Sequence, residues 1–238
     1  MPIFLLLIII FFASFTQSLA GFGSALVAMS LLPSLLGIQT AAPLVALLGL
    51  VLEIFLLAYF RDAVKISNIW RVVVASLIGV PIGIIFLKRV DERLTMLLLG
   101  VVITGYALYA LLRLRLPRLE HSLWGYLAGF LAGMLGGAYN TSGPPVIIYG
   151  NCRGWSPPEF KGNLQTFFLV NSLLVAFGHF FSGSYNAEVW RLFLLALPAG
   201  GIGLASGLVL DRFINPGLFR IIVLLLLLVL GIRLIFFY

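Results

Sequence analysis

Eight apolar blocks, separated by short charged or polar loops, fill nearly the whole chain and limit it to one kind of fold. The hydrocarbon core of a bilayer is about 30 Å thick, and an α-helix crosses it in about 20 residues. Six of the blocks have about that length: 41–60, 69–87, 94–112, 162–181, 190–210 and 217–238. In lipid each backbone N–H and C=O must be satisfied within the structure, and continuous apolar runs of this length satisfy them as helices. Only 10% of the residues are charged, against about 25% in soluble domains. The reading is therefore an all-α polytopic membrane protein, with the lipid bilayer as its first partner.

The other two blocks are interrupted. Block one, 3–36, is too long for one simple crossing, and Thr16, Gln17, Ser18, Gly21, Phe22, Gly23 and Ser24 fall in its middle. Block five, 122–150, contains Gly136-Gly-Ala-Tyr-Asn-Thr-Ser-Gly-Pro-Pro-Val-Ile-Ile-Tyr-Gly150. Pro144 and Pro145 lack N–H groups, and Pro144 pushes Gly143 away from helical geometry. Irregular backbone at membrane depth survives where it is buried in protein or lines a cavity. Each interrupted block reads as two helical arms meeting at a polar break. The apolar start is not read as a cleaved leader, because it has no basic n-region and its apolar character continues past Ala20.

The two halves resemble each other. Each opens with a broken block and continues with three simpler ones. Trp70-Arg71 recurs as Trp190-Arg191, Gly79 and Gly83 as Gly203 and Gly207, and Pro43 has a counterpart in Pro158. The expected organisation is a first transmembrane repeat at 1–112, a basic cytoplasmic linker at 113–121 and a second repeat at 122–238. Repeats of this kind are common in transporters. Block eight and the GxxxG-type spacings are candidates for homodimer contacts or for internal packing.

The net charge of +7 could suggest nucleic acid, but the basic residues fall mostly between apolar blocks, and no basic stripe has interleaved aromatics. Their distribution instead tests topology. If all eight blocks cross once, the 15 basic residues divide almost evenly between the two sides. If blocks one and five each return to the side they entered from, 10 fall on one side, including Arg61, Lys65, Arg113, Arg115, Arg118 and Arg212. That bias is usable under the positive-inside rule. It makes the repeats inverted, each a re-entrant hairpin followed by three transmembrane helices, and places both termini outside.

A helical arm that starts inside the membrane presents N–H groups without intrahelical partners, and its dipole favours anions. The candidate substrate-binding residues are Gln17, Gly21, Phe22, Gly23 and Ser24 at the first break and Asn140, Thr141, Ser142 and Gly143 at the second. Asn163 and Gln165, early in block six, are added as path-lining residues. The competing reading is that the glycines only permit close packing, the polar groups satisfy broken backbone, and Asn163 caps its helix. Opposed across mid-membrane, the two breaks would cradle a small oxyanion. Glu53, a carboxylate inside block two, and His179, near the end of block six, are the proton-coupling candidates. Their competing roles are a structural carboxylate and a packed or interfacial histidine. Arg153 and Lys161 read as orientation-setting loop charges, and Cys152 as a small loop residue. No paired carboxylates, Ser/His pair or HExxH motif points to catalysis, a metal or another cofactor.

Gly21-Phe22-Gly23 in the first half and Gly143-Pro144-Pro145-Val146-Ile147 in the second resemble the sulfite exporter TauE/SafE family, also called the four-toluene sulfonate uptake permeases. The resemblance spans essentially the whole chain. It implies a transporter of sulfite, sulfonates or related small anions in a bacterial-type cytoplasmic membrane. Residue chemistry alone leaves a passive anion channel or a non-transporting membrane scaffold as alternatives.

Overall fold

The computed structural model describes residues 3–112, 117–211 and 213–236, and the fold among them is helical throughout. The orientation charges Arg113, Arg115 and Arg212, and the last residues of block eight, lie outside the described residues. Block one becomes three helices, α1 (Ile3–Ala20), α2 (Ser24–Leu31) and α3 (Pro33–Leu36). The next three blocks are α4 (Ile38–Phe60), α5 (Ile66–Arg89) and α6 (Glu92–Leu111), with a 3-10 turn at Arg61–Ala63. Block five becomes α7 (Leu123–Tyr139) and α8 (Gly143–Arg153), followed by α9 (Pro157–Phe181), α10 (Ala187–Leu210) and α11 (Pro216–Phe236). Among the described residues, seven helices are long and apolar enough to cross a membrane: α1, α4, α5, α6, α9, α10 and α11.

Polar side chains set several helix starts. The Asp91 carboxylate accepts the Arg93 and Leu94 N–H groups at 3.0 and 3.3 Å, which starts α6 directly after the charged turn. Glu159 accepts the Ser156 N–H at 3.1 Å, and Pro157 occupies the first position of α9. This start corrects the sequence reading: 157–161 is the first turn of α9, not loop. Cys152 and Arg153 likewise belong to the last turn of α8, and Cys152 is buried. Charge lowered the hydropathy of these segments without interrupting their helices.

The chain forms two compact units, each drawn from both sequence halves. The first contains the described residues through Val45, 89–112 and those from Ala187 onward. The second contains 46–88 and 117–186. In the first unit α1 lies against α10. A Cβ on Gly203 would overlap the Phe11 carbonyl, and one on Gly207 would overlap the Ser18 hydroxyl. The paired numbers rise together, so the helices run parallel. In the second unit Gly79 and Gly83 of α5 bring its backbone against Phe130 and Met134 of α7, again in parallel. The two small-residue spacings are therefore used inside the chain. Also in the first unit, α6 and α11 pack antiparallel, with Gly100 meeting Gly231 and Ile235.

Candidate functional site

The first break is closed by its own residues. Gly21 and Gly23 adopt φ of 77° and 109°, the left-handed region that glycine enters at little cost. The Gly21 N–H bonds the Gln17 carbonyl at 2.8 Å and ends α1. The Gln17 side chain then reaches across the gap, where its Oε1 accepts the Ser24 N–H at 2.9 Å. The first donor of α2, offered to an anion in the sequence reading, is thus already taken by a neutral cap. Phe22 is buried edge-on to Tyr106 of α6, with ring centroids 6.2 Å apart, and the Arg220 guanidinium stands 5.8 Å from its centroid. Arg220 is one of the ten basic residues that the hairpin topology places on one side.

From Phe22 the chain travels back along α6. The Ile38 N–H donates to Glu92 Oε1 at 3.0 Å, at the first residue of α6. Tyr106 and Glu92 are separated by about 21 Å of helix at 1.5 Å per residue, which is the length of the return. Block one therefore goes out along α1 and comes back through α2 and α3 within its own unit.

The second break is built differently. Asn140 has φ 57°, the only positive φ outside glycine among the described residues. Asparagine tolerates this conformation better than other side chains do. Its N–H bonds the Gly136 carbonyl at 2.8 Å, and the Thr141 N–H bonds the Leu135 carbonyl at 3.2 Å, ending α7. Ser142 is the N-cap of α8, and the helix begins Gly143-Pro144-Pro145. The prolines fit the first turn but remove two of its N–H donors. Among the first three residues of α8, Gly143 alone keeps one.

Block five returns to the end from which it entered. The Leu119 N–H bonds the Cys152 carbonyl at 3.3 Å, and Arg153 Nη1 donates to the Leu119 and Glu120 carbonyls at 3.0 and 3.1 Å. Arg153 therefore clamps the end of α8 to the segment that leads into α7. At the same end, Asn163 Oδ1 accepts the Lys65 N–H at 2.8 Å, Lys65 pairs with Glu159, and Gly162 sits against Ala63. At the opposite end of α9, the Lys88 ammonium donates to the Ser182 carbonyl at 2.5 Å.

Helix α9 lines the second break with residues that are one turn apart. A Cβ on Gly143 would lie 3.6 Å from the Phe168 ring, whereas one on Gly136 would collide with the Asn171 carboxamide. Phe168 thus borders the start of α8, and Asn171 the last turn of α7. Thr141 is 1% exposed and Asn171 3%. Neither Thr141 Oγ1 nor Asn171 Nδ2 has a hydrogen-bond partner among the described residues. Buried donors in that state are uncommon, and each needs a reason.

The remaining expected residues separate. Asn163 is fully buried and braces the loop before α5, so it does not cap its own helix. It lies about 12 Å along α9 from Asn171. Gln165 is fully buried and Glu53 is 4% exposed in α4. His179 is 1% exposed, its ring is 6.2 Å from that of Tyr185, and neither ring nitrogen has a hydrogen-bond partner among the described residues. Asn171 and Phe168 are not among the site residues that the sequence singles out. The available signal was an asparagine in an apolar span, three positions after an aromatic.

A sequence profile of the family described as "Sulfite exporter TauE/SafE" matches residues 6–234. The chain is also similar to a protein of Cupriavidus necator named "Probable sulfite/organosulfonate exporter TauE". The two are 29% identical over 197 residues, covering 78% of this chain and 75% of that protein. No solved structure matches the chain.

Proposed function

We propose that this chain, which belongs to the sulfite exporter TauE/SafE family, is a secondary transporter that moves sulfite or a small organosulfonate across a bacterial cytoplasmic membrane. It is an integral membrane protein of a transport family, not an enzyme. The substrate class follows the name of its relative. The observation that most supports a site in this chain is the second break, where a hairpin leaves the Thr141 hydroxyl buried and without a partner among the described residues, beside the start of α8. Asn140, Ser142 and Gly143 complete that seat. Gly21, Phe22, Gly23 and Ser24 are the candidate substrate-binding residues of the first break, with Gln17 holding it in shape. Glu53 and His179 are assigned to proton coupling on their burial within the apolar helices. Both termini lie outside in this reading.

Reconstituted vesicles test it. Flux of sulfite and of methanesulfonate should saturate with concentration, respond to a pH gradient, and fall at least tenfold in Thr141→Val. Glu53→Gln should abolish the response to the gradient while leaving anion exchange. Ohmic current indifferent to pH would make the protein a channel, and absence of flux for all such anions would overturn the reading.

A further inference from the structure

The two prolines of α8 create a shortage of donors. A helix start that met an anion through its own backbone would use the N–H groups of its first turn, and here Pro144 and Pro145 have none. Side chains beside the break can replace them. Thr141 stands two residues before Gly143. Asn171 presses on the last turn of α7 from the neighbouring helix, in the same unit. Both side chains are more than nine-tenths buried, and each has an unpartnered polar atom among the described residues. Desolvating a donor and leaving it unpaired is costly, so a chain that does so twice at one break has a use for the pair.

We propose that Asn171 is an anion-binding residue of the second break, acting with the Thr141 hydroxyl and the Gly143 N–H, and that this seat accepts a monoanion. The inference rests on the transport reading given above and deepens it. All three donors are neutral. They can satisfy the oxygens of one delocalised negative charge, whereas a desolvated second charge would find no countercharge in this set. Phe168 and Ile147, which border Gly143, supply an apolar wall for a substituent on sulfur. The matching ligands are hydrogensulfite or an alkylsulfonate, not sulfate.

Calorimetric titration of the purified full-length protein with methanesulfonate and with sulfate, alongside thermal unfolding, tests the assignment. Methanesulfonate should bind at least tenfold more tightly than sulfate. Thr141→Val and Asn171→Ala should each weaken it at least tenfold, with Asn171→Ser in between. Thr141→Val should melt no lower than the parent, because it keeps the shape and removes a hydroxyl without a partner. Asn171→Ser, which keeps a small polar side chain, keeps the test decisive where Asn171→Ala fails to fold. Parent-like affinity in Thr141→Val and in a folded Asn171 variant would overturn the residue assignment while leaving transport intact. Equal affinity for sulfate would overturn the charge class. A parent protein that binds neither anion and carries no flux would remove the transport reading as well.

Discussion

Asn140 and Gln17 show how differently single residues hold the two breaks. Asn140 sits at φ 57° as the last word of α7. A left-handed conformation costs an ordinary L-residue about 1–2 kcal/mol. Asn140→Gly should therefore retain thermal stability, while the β-branched Asn140→Val should lose about 2 kcal/mol, measured by unfolding in detergent. Gln17 is the opposite case, a side chain serving backbone across a gap. Gln17→Leu strands the Ser24 N–H and should cost about 1 kcal/mol, the usual worth of a lost cap. An unchanged melting temperature would show that the cap contributes nothing. The polarity of both residues was legible in the sequence. The division of labour was not, because it depends on which atom faces which N–H once the chain has turned.

At the scale of elements, hydropathy placed the apolar blocks well, since lipid demands long uninterrupted helices. The block read at 69–87 is α5 (Ile66–Arg89). It failed at α9, where Ser156, Pro157 and Glu159 start a helix five residues before the apolar block at 162. Glycine spacing was legible as close packing, but the partner of each helix was not. That Gly203 meets α1 and Gly79 meets α7 is tertiary information, as is the contact of Asn171 with Gly136. Neighbouring glycines of α10 give a test. A Cβ on Gly201 meets nothing within 4 Å, whereas one on Gly203 overlaps the Phe11 carbonyl. Gly201→Ala should stabilise the protein by about 0.5–1 kcal/mol through helix propensity. Gly203→Ala should destabilise it by about 1–3 kcal/mol through overpacking. Equal melting temperatures for the two variants would contradict the α1–α10 register.

For the whole molecule, the sidedness of the second unit can be measured directly. In a Cys152→Ala background, cysteines placed at Glu120 and Ser156 should react with an impermeant maleimide from one face of the membrane, and one at Asn186 from the other. Labelling of 120 and 156 from opposite faces would mean that block five crosses the membrane. The pairing of α1 with α10 and of α5 with α7 has a further consequence. Each sequence half carries a broken helix and a glycine-faced helix, and each of these meets its counterpart from the other half. Severing the chain within 113–121 should yield two fragments that are degraded when made singly and recovered as a complex when made together. By the same logic, a free-standing half would have to assemble with another half to cover its glycine faces. The linker would then chiefly fix stoichiometry, guaranteeing one of each half in every molecule.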